Sequence, residues 1–250
     1  MKTKIIHPIL ALLLLFLSSC SKEDDTTNKG ANQQLTSVEI SNDSDQTYTF
    51  KINYLYDSQK RLTTINAGAE IIFEFTYIEN SISKIKIIEE NVFTNYTYFY
   101  NDNKLIPSRI VATGKNDFDI NYVVTDSKVQ WKNKLLDECL ITITNGNVIE
   151  SIVNGKSIKL TYSDANEVFS GNEQSIQLLL AMALDSSKYS SYVFDAFSGI
   201  QTSKNTLQRL EQESNGTILN FTISKNKYGY VDHKTLANNS STTTIKYNYK

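Results

Sequence analysis

The chain has 250 residues, two cysteines, two prolines, 15 tyrosines and a formal net charge of -2, with 40% hydrophobic and 21% charged residues. Gly and Pro are too scarce for a collagen-like or low-complexity chain, and apolar content is too high for a disordered one. The near-neutral balance leaves no basic footprint, so nucleic acid is not expected as a partner.

Residues 1–20 read as a secretory signal. Lys2 and Lys4 form a basic start, Ile9 to Leu17 is an unbroken apolar run, and Ser18 and Ser19 are small. Nine residues rise only about 14 Å as a helix, far short of a hydrocarbon core about 30 Å thick. The run closes on Leu17-Ser18-Ser19-Cys20, which resembles the lipobox of bacterial lipoproteins. That resemblance implies that Cys20 carries a diacylglyceryl thioether, often with a further fatty acyl chain such as palmitate, and becomes the first residue of the mature protein. Two or more acyl chains hold a protein durably to a bilayer. Lys22, Glu23, Asp24 and Asp25 follow at once. They resemble the export signal of Bacteroidota surface lipoproteins, which implies an outer-membrane protein exposed on the cell surface rather than on the periplasmic face. Asp25-Thr26-Thr27 resembles the O-glycosylation site of the same phylum, with Thr26 as the acceptor.

Residues 21–34 are polar and aperiodic and read as a flexible tether, up to about 50 Å long when extended. From Leu35 to the end, a single all-β domain is expected. Apolar and polar residues alternate through Tyr48–Tyr56, Ile71–Tyr77, Tyr96–Tyr100, Phe118–Val124, Ile158–Tyr162 and Ile245–Tyr249. A pleated strand sends successive side chains to opposite faces, so each stretch has one aromatic, β-branched face and one wet face. Turn residues at 57, 80, 102, 126, 145 and 164 fall about 21 residues apart, with Asn145-Gly146 the strongest type I′ signal. Each leads into a return strand such as Leu62–Asn66, Ile82–Ile88, Leu105–Thr113 or Val148–Val153. Gly216–Ser224 and Tyr228–Leu236 read as a last hairpin before Thr242–Tyr249. The expected fold is an antiparallel up-and-down meander of repeated hairpins, rolled into a barrel or half-barrel. Aromatic faces are expected inside and charges outside, so that the domain is a monomer that does not span a membrane.

Tyr54-Leu55-Tyr56-Asp57 followed by Leu62-Thr63-Thr64-Ile65, and the shorter Tyr98-Phe99-Tyr100-Asn101 followed by Leu105, look like YD-type hairpins. With the lipobox, the chain resembles an uncharacterised group of Bacteroidota outer-membrane lipoproteins described as having a porin-like fold. The resemblance covers about residues 35–250. It implies architecture and carries no catalytic residues.

The repeat breaks between 165 and 215. Glu173–Asp185 reads as one short buried helix, apolar nearly all round. Tyr189, Tyr192, Phe194 and Phe197 follow. They either seal the end of the domain or contact a ligand, since function concentrates in non-repetitive segments.

Chemistry is sparse. With Cys20 lipidated, Cys139 is the single remaining thiol, and its parity with Ile141 and Ile143 reads as a buried hydrophobe. A catalytic thiol would need His233, some 94 residues away. Trp131 shares parity with Val129 and reads as core. Asp43-Ser44-Asp45 and Asn101-Asp102-Asn103 lack the glycine and glutamate of an EF-hand loop and read as turns. No metal or cofactor is expected, and paired carboxylates for glycoside hydrolysis could only be assembled in space. The expectation is a non-catalytic module that binds a glycan, peptide or partner protein. The alternative is an outer-membrane carrier or chaperone holding an apolar ligand inside the rolled sheet, marked by an enclosed apolar cavity.

Cys20→Ala is expected to abolish labelling by a palmitate analogue and to free the chain from the membrane. Persistent labelling of that variant would contradict lipidation at Cys20.

Overall fold

Alternating sequences give strands with one apolar face, and a computed structural model places eighteen of them in two antiparallel sheets. It describes residues 33–165 and 205–250, apart from 69–70, 102–105, 116, 126, 133–136, 214 and 238–240. The first eight strands are β1 (Leu35–Asn42), β2 (Asp45–Tyr56), β3 (Leu62–Ala67), β4 (Ile71–Ile78), β5 (Ser81–Glu89), β6 (Val92–Phe99), β7 (Arg109–Gly114) and β8 (Phe118–Asn121). Then come β9 (Val123–Val124), β10 (Lys128–Lys132), β11 (Glu138–Thr144), β12 (Asn147–Val153), β13 (Lys156–Tyr162), β14 (Leu207–Gln212) and β15 (Thr217–Asn220). The last three are β16 (Thr222–Lys225), β17 (Val231–Ala237) and β18 (Thr242–Tyr249). Among the described residues there is no helix. The helix expected over Glu173–Asp185 lies outside them.

The eleven-stranded sheet runs β16-β17-β18-β1-β2-β3-β4-β5-β6-β7-β8, and the seven-stranded sheet β15-β14-β13-β12-β11-β10-β9. Nearly every neighbour in space is a neighbour in sequence, as a meander requires. Among the described strands, the pairing of the first with the last, β1 with β18, departs from that order. Backbone pairing already includes Gln34, which exchanges both hydrogen bonds with Lys250 at 3.0 Å.

The expected single rolled sheet is replaced by two, and neither closes into a barrel. The chain changes sheet at two residues. β8 and β9 are one alternating strand, Phe118–Val124, interrupted only at Tyr122. The Tyr122 N–H still donates to Ser108 O, at 2.7 Å, beside β7, whereas Val123 and Val124 pair with Gln130 and Val129 of β10. Phe221 does the same between β15 and β16, its N–H donating to Gln208 O of β14 at 2.8 Å. Strands that bend from one sheet into another make the corners of a two-sheet stack. Both corner side chains stay buried.

The inward faces of both sheets contribute to one core, from Val38, Ile52, Tyr54, Phe73, Ile85, Tyr98 and Ile110 to Trp131, Ile141, Leu160, Leu210 and Tyr247. Outward faces carry the charges, matched across strands: Lys51 with Glu39 at 3.4 Å, Lys86 with Glu74 at 3.2 Å and Lys159 with Glu213 at 2.5 Å. Most aromatic residues are therefore inside and most charges outside, as the alternation predicts, with Phe93, Phe99 and Lys234 the other way round. A lipid-facing wall would have to bury those lysines, at up to about 2–4 kcal/mol each.

The hairpin repeat has a physical basis in its tyrosines. In Tyr54-Leu55-Tyr56-Asp57, Tyr54 fills the core and the Tyr56 hydroxyl donates to Leu35 O at 2.8 Å. Tyr77 donates to Leu62 O at 2.8 Å, Tyr100 to Ile82 O at 2.7 Å and Tyr162 to Val148 O at 2.7 Å. Each time, a tyrosine at the end of a strand reaches the carbonyl of a buried apolar residue at the start of the neighbouring strand. In the closing strand β18, Tyr249 instead packs at a tilt of 49° against Tyr230, with ring centroids 5.4 Å apart.

The Asp of the motif builds the turn. Asp57 Oδ1 accepts from the N–H groups of Gln59 and Arg61, both at 2.9 Å, and Oδ2 from Arg61 Nε at 2.8 Å. Asn226 repeats the design, accepting from Tyr228 and Tyr230 N–H at 2.9 and 3.2 Å. Gly229, with φ 82°, stands where Lys60 has φ 62°. The last hairpin is therefore shorter than expected, because Tyr228–Tyr230 belong to its turn. Asn145-Gly146 has the φ values of a type I′ turn, 51° and 77°. The Asp43-Ser44 segment is also a turn: Asn42 Oδ1 accepts from Ser44 N at 2.9 Å, and Asp43 Oδ1 from Thr242 N at 2.6 Å.

Tyr56→Phe and Tyr100→Phe are each expected to lower stability by about 1–2 kcal/mol in urea unfolding, because each leaves a partly buried carbonyl without its donor. Unchanged stability in both variants would contradict the tether.

The pH dependence should have two limbs. The Arg61 amide and side chain hold Asp57 below its ordinary 3.8, and the Lys225 ammonium does the same for Asp164. Their contribution is present above about pH 4 and is lost as pH falls through the lowered folded values. Burial pushes the phenols of Tyr98, Tyr100 and Tyr249 above the ordinary 10.0. That contribution is whole below about pH 10 and is lost as pH rises through the raised folded values. Tm against pH should therefore show a plateau with losses on both sides. A Tm that climbs on acidification below pH 4 would contradict the acid limb.

Candidate functional site

The two sheets part at Tyr122, and the parting leaves a cleft. β10 pairs with β9 over only two residues, then keeps its β11 partners through Lys132 while β8 turns away to β7. Antiparallel bonding alternates sides along a strand, so Asn121 and Asp119 direct their main-chain groups away from β7, toward the gap. The cleft between the arms measures about 430 Å³. Asp119, Ile120, Asn121 and Val123 line one arm, Gln130, Trp131 and Lys132 the other, and Glu138 and Cys139 the back.

Its floor is apolar. Trp131 is buried, packs its ring 5.5 Å from that of Tyr122, and lies opposite Cys139 in the β10–β11 register. The Trp131 indole N–H is buried with no acceptor among the described residues. Cys139 is buried as expected, its Sγ 3.6 Å from Asp137 O.

The cleft's ionisable groups are matched in pairs. Arg109 grips Asp119 with two hydrogen bonds, at 2.7 and 2.6 Å, and stacks 5.2 Å from the Phe99 ring centroid. Those bonds hold the Asp119 carboxyl below its ordinary value and raise the Arg109 guanidinium. Lys132 lies 3.7 Å from Glu138. The neutral amides of Asn121 and Gln130, with Val123, complete the rim. The arrangement suits neutral hydrogen bonding over an apolar floor.

The sequence-predicted sites fall differently. Cys20, Lys22, Glu23, Asp24, Asp25 and Thr26 lie outside the described residues, as do Tyr189, Tyr192, Phe194 and Phe197. Trp131 and Cys139, read from sequence as core, do sit in the core, and the structure adds that both reach the cleft. His233 is on β17, half-exposed, with Nδ1 2.9 Å from Asp232 Oδ2. Cys139 is on the other sheet. The cleft itself has no sequence signal, because the alternation runs through Tyr122 unbroken while the pairing partner changes.

Lys234 is the other feature that patterning misses. It is fully buried, at 0% exposure, and its ammonium lies 5.0 Å from the ring centroid of the corner residue Phe221. Val231-Asp232-His233-Lys234-Thr235 has too little contrast between its faces to show which one turns inward.

No family model matches the chain, and no curated protein matches it. Among solved structures, the chain is similar to a porin-like protein from Bacteroides uniformis, at 17% identity and a TM-score of 0.48, over 86% of this chain and 96% of that one.

Proposed function

We propose that this protein is a lipid-anchored outer-membrane protein whose sheets form a non-catalytic binding module for a glycan, peptide or partner protein on the cell surface. The placement follows from the apolar run closing on Cys20. Lys22, Glu23, Asp24 and Asp25 direct export, and Thr26 accepts a glycan. The observation that carries the binding role is the cleft at the Tyr122 fork. Its volume of about 430 Å³ falls within the range of small-ligand sites. Its charges are matched to one another, and what it offers a ligand is amide hydrogen bonding. An open cleft with a polar rim suits recognition better than storage of a lipid-like ligand, which calls for an enclosed apolar chamber.

Trp131 is the only tryptophan of the chain, so its emission reports on the cleft directly. Titration with neutral oligosaccharides and with short extended peptides is expected to give a saturable change with one of the two classes. Gln130→Ala should weaken that binding roughly tenfold, the effect of losing about 1.4 kcal/mol of hydrogen bonding. No saturable change with either class, or turnover of a glycoside substrate, would overturn the reading.

A further inference from the structure

The strands of both sheets end at two opposite rims, and the rims differ in charge. At one rim lie the 57–61, 79–80, 145–146 and 226–230 turns, with the ends of β9 and β13 and the start of β10. The chain enters the described unit there. Gln34 pairs with Lys250, its Nε2 lies 3.5 Å from Lys60 O, and Asn226 Nδ2 donates to Gln33 Oε1 at 3.1 Å.

This rim carries Lys60, Arg61, Lys128, Lys225 and Lys227 against Asp57, Glu79, Asp164 and Asp232; Arg61 and Lys225 hold Asp57 and Asp164, and Asp232 lies beside His233. The opposite rim is acidic. It has Asp43, Glu89, Glu90 and Asp117 on the first sheet and Asp137, Glu138 and Glu213 on the second, against Lys115, Lys132 and Lys156. Both rims expose large apolar side chains, the acidic one Val92, Phe93 and Ile218, and on the basic rim they recur at regular intervals among the cations. Leu55 on β2, Ile78 on β4, Phe99 on β6 and Val123 on β9 are 50, 70, 43 and 65% exposed. The first three stand on every second strand, so they recur about every 10 Å along the rim. Apolar residues interleaved with cations are the composition of a surface that sits on anionic lipid.

We propose that this rim is a second membrane contact: Leu55, Ile78, Phe99 and Val123 enter the headgroup region of an anionic bilayer while Lys60, Lys128 and Lys227 meet its phosphates. The proposal rests on the lipid-anchored reading, because the tether from Cys20 joins the unit at Gln33, on this rim. The acyl anchor keeps the protein at the membrane, and the rim sets its orientation, with the acidic rim facing away.

The test uses the full lipidated protein in the Cys139→Ser background, with Ile78→Cys or Lys156→Cys carrying a fluorophore. Each is incorporated into phosphatidylethanolamine–phosphatidylglycerol vesicles that contain a lipid-borne quencher. The fluorophore at 78 should be quenched at least about twofold more than that at 156. The difference should shrink at high salt and in Lys60→Glu/Lys227→Glu. Equal quenching at the two positions, or none at 78, in a protein that does incorporate overturns the rim contact and leaves the anchor standing. A protein that does not incorporate overturns both.

Discussion

A sheet with one apolar face must cover it, and a sheet with free edges invites pairing with other chains. This chain meets both constraints with two residues. At Tyr122 and Phe221 the strand runs on while its hydrogen bonds pass to a new partner. β8 and β9 are thus halves of one strand, and so are β15 and β16, and these four are the edge strands of the two sheets. Each outer edge continues covalently into the edge of the other sheet. The apolar faces are brought together to form a shared core without the ladder closing into a barrel. The cleft is the cost of that solution, because strands that change partner must part, and the parting between β8 and β10 cannot be filled by backbone.

The tyrosine tethers fix the remaining geometry. An up-and-down meander held only by ladder bonds can slip by two residues without turning its apolar face outward. A hydroxyl that reaches one particular carbonyl on the adjacent strand removes that freedom. Tyr56, Tyr77, Tyr100 and Tyr162 do this at the same rim, and the turn after Tyr56 is locked by the Asp57 side chain. Register, turn and core are therefore specified together by a few residues of each motif. This explains how a chain with little contrast among its polar residues settles on one pairing.

Much of this architecture is legible in the amino-acid sequence alone. Strict alternation locates most of the strands, since period two has one physical meaning over seven or eight residues. The Asx and Asn-Gly positions locate the turns, and parity places Cys139 and Trp131 inside. Legibility fails where the local pattern is the same for two outcomes. Tyr122 and Phe221 are inward-facing residues in unbroken strands, and nothing local distinguishes a strand that stays in its sheet from one that leaves. Asn226-Lys227-Tyr228-Gly229-Tyr230 reads partly as strand because its aromatics mimic alternation. Lys234 is invisible as a core residue because a lysine in a strand ordinarily marks the wet face. The cleft inherits the first failure, being a product of pairing rather than of composition.

The two corner residues are expected to make eighteen strands into one cooperative unit rather than two sheets that open separately. Native-state hydrogen exchange tests this most directly, because it reads the opening free energy of each strand by itself. The slowest amides of the eleven-stranded sheet, such as Phe75 on β4, should exchange with the same opening free energy and denaturant dependence as those of the seven-stranded sheet, such as Ser151 on β12. If β10 to β14 open together at a distinctly lower free energy while β1 to β6 remain protected, the sheets are independent and the role assigned to Tyr122 and Phe221 is wrong.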